Sequence, residues 1–344
     1  MAYLIKEETF PTLQDYYNDR GNNLNWPSPF DLPLWLQTWW EAFGEMNERG
    51  AETGGYELFL RSIWVDGRLT GIAPLMRRGD DLRLLGSASV CDYLDLISVP
   101  GQEESFMQTL LVFLREDGIN KFELEAQRPE ALIFRGFYAL LARDAEKAIY
   151  RNFCHCLIER EDESFEVSLP ADWESYLAAL SKKQRHEVRR KLRRLLAETR
   201  GYQYRSIEDS AQMEAFMPQF FELFLQNPEK QDFLTRRREH FFRSIISAAA
   251  RAGIARFGLL EIDSVVAAAI LYFDYNERIW LYNSGYLPEY GDLSAGLISK
   301  ILCLKDSIEK GRPVFDFMKG QEVYKSRLGG AGIPIYKVTI TFPV

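Results

Sequence analysis

Tyr282-Asn-Ser-Gly-Tyr-Leu-Pro-Glu-Tyr-Gly-Asp-Leu-Ser-Ala-Gly-Leu297 is the stretch on which the fold turns. It closes an apolar and aromatic run, passes through a loop with Pro288 and Gly291, and opens a helix on small residues. A helix start carries unpaired N–H groups and the positive end of the helix dipole. Gly291, Ala295 and Gly296 place no bulky side chain in front of it, so a phosphate-bearing ligand fits the pattern. The same spacing fits a plain turn, with Asp292 or Ser294 capping the helix and the glycines permitting the reversal.

Working outward, the sequence predicts strands over Ile254–Ile262, Val265–Tyr275 and Arg278–Tyr286, then a helix over Leu293–Glu309. A strand Val314–Met318, a short helix near Glu322–Arg327 and a last strand Ile335–Phe342 follow. Upstream lie a long helix from Asp172 to about Glu198, a strand Tyr202–Ser206, and helices Ala211–Leu225 and Thr235–Ala252. The first half begins with a helix through Trp35, Trp39 and Phe43 that Asp31 caps, then a hairpin, Tyr56–Val65 and Leu69–Arg77, around Asp66-Gly67. Strands Leu82–Leu85 and Tyr93–Val99, a helix Glu103–Glu116, a strand Lys121–Glu125, a helix Glu130–Leu141 and a strand-like run Ala148–Ile158 complete it. Both halves repeat one order of elements, which predicts a duplicated α+β domain. Glu159–Glu166 carries five acids and one Arg and precedes Pro170. That stretch sets the expected division into residues 1–158 and 159–344.

The chain of 344 residues is 47% hydrophobic and 14% aromatic, enough for two cores. Its longest apolar runs, such as Val265–Phe273, fall short of the roughly 20 residues a bilayer needs, and its start is acidic, so a soluble cytoplasmic protein is expected. Four cysteines are too few for a disulfide framework. The net charge of -8 hides nine Lys or Arg against two Glu in residues 181–200. The whole-chain acidity argues against a DNA-binding protein but leaves room for one local anion site.

Lys182, Arg185, Arg189 and Arg193 share one face of that basic helix, opposite Leu177, Leu180, Val188, Leu192 and Leu195. The stripe suits a phosphorylated or nucleotide-linked substrate or an anionic membrane surface, and equally a solvated outer face. A second polar cluster follows the strand at Phe315: Asp316, Lys319, Glu322, Tyr324, Lys325 and Arg327. Polar groups at the end of a core strand converge on a ligand or are hydrogen-bonded within the core. Cys154-His-Cys156 puts its sulfurs on one face of a strand and His155 on the other, so no metal site is expected. With His186 and His240 the only other histidines and no Gly-x-Ser-x-Gly elbow at Ser284, a Ser/His hydrolase is disfavoured.

Gly71-Ile-Ala-Pro-Leu75, Asp92-Tyr-Leu-Asp95, Leu180-Ser-Lys-Lys-Gln-Arg185 with Arg189 and Arg190, Leu293-Ser-Ala-Gly296, and Phe315-Asp-Phe with Gly320-Gln-Glu-Val-Tyr-Lys325 together resemble the CelD (BcsL) group of FemAB-like acetyltransferases. The resemblance runs from about residue 30 to 328. It implies two tandem N-acetyltransferase (GNAT) folds, the first degenerate and the second holding the acyl-CoA cleft. Ala295 stands where the family usually has Pro, and the superfamily's Arg/Gln-Gly-x-Gly/Ala pyrophosphate motif is absent.

On this reading acetyl-CoA or another acyl-CoA meets Tyr282, Ser284, Gly291, Ser294, Ala295 and Gly296, with no metal. Transfer to an amine of pKa ~10.4 requires a proton acceptor and an acid toward the thiolate. Asp316 or Glu322 is the expected base, and a tyrosine, Tyr324 or Tyr286, the acid. Asp92, Asp95, Lys182, Arg185, Arg189, Lys319, Lys325 and Arg327 are the expected contacts to a small amine or nucleotide-linked sugar, although strand capping is an equal reading for Asp92 and Asp95. The activity implied is acylation of an amino sugar, amino acid or other small amine in envelope or exopolysaccharide assembly. The alternatives are an aminoacyltransferase of the FemAB type fed by charged tRNA, and a non-catalytic accessory protein.

Overall fold

Antiparallel pairs of consecutive strands run through the sheet in each of the two compact units. The computed structural model describes residues 2–44, 55–137 and 153–343. One unit comprises Met1–Asp162 with Pro334–Val344, the other Glu163–Ile333.

In the first unit, β1 (Tyr3–Glu7), α1 (Phe10–Asn18) and α2 (Pro33–Trp39) precede β2 (Glu57–Val65) and β3 (Arg68–Arg78). Asp66 and Gly67 both take positive φ, the geometry of a two-residue turn that matches strand twist. β4 (Asp81–Leu84), β5 (Ile97–Ser98), α3 (Glu103–Glu116) and β6 (Lys121–Gln127) follow, β4 pairing parallel with β6. Asp31 does not cap α2, which begins from Leu32 without a side-chain cap. Its carboxylate instead receives the Ser28 and Asp95 N–H groups. The expected strand Tyr93–Val99 shrinks to Ile97–Ser98 because Asp95 takes the Leu96 and Leu132 N–H groups, leaving a side-chain-braced loop. The expected helix Glu130–Leu141 is a π-helical turn over Ile133–Phe137, and residues 138–141 lie outside the described ones, as do residues 148–152 of the strand-like run.

The expected boundary Glu159–Glu166 lies inside a strand, β7 (His155–Ser168), and the division falls within it at Asp162/Glu163. The acids are tolerated in a strand because they find donors: Glu161 accepts the Ala126 N–H and Glu166 pairs with Arg278.

The second unit continues with α4 (Trp173–Ala179), α5 (Lys182–Glu198), β8 (Tyr202–Ile207), α6 (Ser210–Phe224), α7 (Pro228–Phe233) and α8 (Arg236–Arg251). The single long helix expected from Asp172 is two helices. Leu180 is extended, and Ser181 opens α5 with a reciprocal capping box to Gln184. Then come β9 (Ala255–Ile262), β10 (Val265–Tyr275), β11 (Arg278–Tyr286), α9 (Ala295–Glu309), β12 (Val314–Lys319) and α10 (Val323–Arg327). The sheet order is β7-β12-β11-β10-β9-β8, antiparallel except for β11 against β12. Leu281, Ile301, Leu304, Phe315 and Tyr176 build the core under α4, α5 and α9, while Phe216 and Phe220 of α6 pack on Phe257. The last strand, β13 (Ala331–Thr341), pairs with β6, so residues 334–344 belong with the first unit rather than the second.

Candidate active site

β11 and β12 run parallel for three residue pairs only, Arg278–Val314, Ile279–Phe315 and Trp280–Asp316. Each strand then bulges. On β12 the irregularity lies between Asp316 and Met318, where Met318 takes a φ of +66°. On β11 it falls at Tyr282, which is skipped in the register with β10. A bulge bends its strand and ends regular pairing. With both bulges just past the last pair, the strands separate, and Tyr282–Tyr286 loses its neighbour on that side. Its backbone groups then offer an edge on which an extended chain can hydrogen-bond.

Both bulges are braced. Asp316, 0% exposed, accepts the Met318 N–H at 2.7 Å and pairs with Arg278 at 3.3 Å, which also binds Glu166 at 2.5 Å. Lys325, 2% exposed, donates to the carbonyls of Met318, Lys319 and Gly320 and pairs with Glu322 at 2.8 Å. Buried charges persist when paired and hydrogen-bonded in this way. Asp316 and Lys325 therefore shape the opening instead of facing it.

At the far end of β11 the loop turns on Gly291, whose N–H bonds to Pro288 and whose carbonyl accepts from Ser294. Ser294 is left-handed and makes no side-chain cap; its hydroxyl accepts from Lys191 at 2.7 Å. The first-turn N–H groups of α9 thus keep their donors free of a side-chain cap. Ala295 is buried, so only its backbone is available. A Cβ on Gly296 would meet the Tyr286 ring at 2.8 Å, which fits that half-exposed tyrosine beside the helix start.

Lys300, one turn further along α9, was not anticipated. Its ammonium donates to Ser284 at 3.0 Å and to the Gly296 carbonyl at 2.9 Å, and stands 5.1 Å from the centre of the Tyr324 ring. Burial pushes its pKa down to about 8 against the opposing pull of Glu322. The signal in the sequence was a single charge in the otherwise uncharged run Leu297–Leu304. Glu322 is exposed. Partial burial pushes its carboxyl up, but Lys325 outweighs this and leaves it below its ordinary value. Tyr324 packs edge-on against Phe317. Ser284, Lys300, Glu322, Tyr324 and Lys325 are thereby brought together. Lys319 ends β12, and Arg327 lies exposed in the last turn of α10.

Other expected residues stand apart from this group. Tyr282 packs against Phe242 and Phe273. Arg185 donates to the carbonyls of Leu177, Ala178 and Leu180, closing the end of α4, and Arg189 pairs with Glu174. Arg190 and Arg194 pair with Glu187 and Glu198, so much of the basic face is neutralised in place; Lys182 is exposed at its start. In the first unit Asp95 is buried as a loop brace, and Asp92 is half-buried in the same loop. No group of three metal-ligating side chains occurs among the described residues. No described helix is long and apolar enough to cross a membrane.

Residues 182–326 match the family model described as an acetyltransferase (GNAT) domain. That match lies within the second unit, which over those residues is similar to GNAT-type acetyltransferase domains. Over nearly its whole length the chain shares its fold with solved structures. It is similar to a conserved protein of unknown function from Bacteroides thetaiotaomicron (13% identity, 99% of this chain and 100% of that one, TM-score 0.57). It is also similar to FemX (11%, 98% and 97%, 0.58) and to the C-terminal domain of a putative lysylphosphatidylglycerol synthetase from Agrobacterium fabrum (10%, 88% and 90%, 0.50). At these identities the likeness is one of fold. No curated protein matches the sequence.

Proposed function

We propose that the protein transfers an acyl group from acyl-CoA to a small amine, an amino sugar or amino acid, in the manner of the CelD group and in cytoplasmic steps of envelope or exopolysaccharide assembly. The observation that carries this reading is the separation of β11 from β12 beside the uncapped start of α9. An extended pantetheine arm matches the open edge of β11, and a pyrophosphate matches the N–H groups of Ala295 and Gly296 at the start of α9, which takes no side-chain cap.

In the reaction the amine nitrogen bonds to the thioester carbon, the C–S bond breaks, the amine loses a proton and the thiolate gains one. Glu322, ionised at neutral pH, faces the acceptor's ammonium and passes its proton to solvent; Tyr324 protonates the thiolate and is reprotonated from water. Backbone N–H groups on the open edge of β11 stabilise the oxyanion.

The test is calorimetric titration with acetyl-CoA, followed by release of free thiol with a panel of amines. Glu322→Gln is expected to lower turnover by about 10²-fold or more, and also to lower thermal stability because buried Lys325 loses its counter-charge. Asp316→Asn is expected to cost about 1–3 kcal/mol of stability by loosening the buried ion network. Absence of any heat with acyl-CoA, or full turnover in the Glu322 variant, would overturn the respective part of this reading.

A further inference from the structure

Lys300 is more than nine-tenths buried, yet no carboxylate of a described residue lies within ion-pair distance of it. Its acceptors are neutral, a hydroxyl and a carbonyl, and its remaining side faces the ring of Tyr324. Buried Lys325, by contrast, holds Glu322. Burying an ammonium without a counter-charge is costly, and a fold that needed only a filler at this position would favour an uncharged side chain.

Lys300 does not stand alone. Lys230 of α7 donates to Asn283, the neighbour of Ser284, at 3.4 Å. Successive residues of a strand point to opposite faces. Two ammonium groups from different helices therefore flank the open edge of β11, one on each face. Glu322, with Lys325 beside it, is a carboxylate whose charge acts on both. Pantetheine is uncharged and has no use for the buried ammonium of Lys300.

We propose that the open edge of β11 is a binding site for an oxyanion group, a carboxylate or phosphate carried by the acyl chain or by the acceptor, seated between Lys300 and Lys230. It rests on the opening being the transfer site. The group completes the hydrogen bonding of Lys300 and supplies the counter-charge that Lys300 lacks within ion-pair distance. It narrows the substrates to a dicarboxylic acyl donor or to an amine that also bears an acidic group.

The full chain, Lys300→Met and Lys230→Met are titrated with succinate and with inorganic phosphate at low and high salt. Binding is expected in the wild type, weakened by salt, and at least about tenfold weaker in Lys300→Met. Lys300→Met is expected to unfold at or above the wild-type temperature, whereas a merely structural lysine would make this variant less stable. The source of the anion is separated by two comparisons, succinyl-CoA against acetyl-CoA, and an amino acid against its decarboxylated amine. A preference of about tenfold in either, lost in Lys300→Met, assigns the group to donor or acceptor. Equal binding of succinate by the wild type and both lysine variants, or no binding by any, overturns the proposal. A chain that binds succinate through Lys300 but no thioester keeps the anion site and loses acyl-CoA as the donor.

Discussion

Asp31 and Asp95 show how far a side chain's neighbours decide its role. Both are buried, 1% and 8% exposed, and Asp31 accepts the N–H of Asp95. Burial pushes the Asp31 carboxyl up to about 7, against the lowering by its Ser28 and Asp95 donors. Burial, then the charge of Asp31, raises Asp95 well above the ordinary range. A carboxyl whose folded pKa exceeds its unfolded one, ordinarily ~3.9, favours folding at low pH, and that advantage fades as pH rises through the folded value. The wild type should therefore lose stability relative to Asp31→Asn as the pH goes from 5 to 8. Thermal unfolding of both proteins across that range checks it; parallel profiles would contradict it. Asp92-Tyr-Leu-Asp95 stood out in the sequence, but the partners of Asp95, Asp31 and Leu132, are remote in the chain, so its role as a brace was not legible there. Lys300 was hidden for a similar reason: a helical wheel shows a lysine on a buried face, not that its counter-charge is missing.

At the scale of elements, the hairpins and α9 were legible because alternation, turn residues and helical periodicity agreed. β9, β10 and β11 fall within a residue of their expected ends. The break between α4 and α5 was legible too, as Ser181-x-x-Gln184, but the amphipathic stripe on either side masked it. β7 was misread because its acids imitate a solvated linker. The separation of β11 from β12 was beyond reach, since it depends on bulges in two strands more than thirty residues apart. Its rigidity also rests on close packing: a Cβ on Gly285 would lie 2.3 Å from the backbone of Leu223 at the end of α6. Gly285→Ala must push β11 and α6 apart. A loss of about 1–3 kcal/mol is expected in denaturant unfolding, with weaker acyl-CoA binding. An unchanged midpoint would show that the contact is not tight.

For the whole molecule, the duplicated α+β pattern could be read from the order of elements, but the ownership of the last strand could not. Register is settled by pairing, and β13 pairs with β6, some two hundred residues earlier in the chain. Val338 and Ile340 are fully buried there. Deleting residues 334–344 should accordingly damage the first unit and spare the second. Limited proteolysis should then cut within residues 2–162 first. Preferential cleavage within 163–333 would contradict the assignment.

The proposed acyl transfer depends most on the opening between β11 and β12 receiving an extended thioester donor. Hydrogen exchange of the full chain, with and without a non-hydrolysable acyl-CoA analogue, tests this directly. Slower exchange confined to Tyr282–Tyr286 and the first turn of α9 is the predicted result. Saturating analogue that leaves those amides unchanged while protecting others would place the donor elsewhere and contradict it.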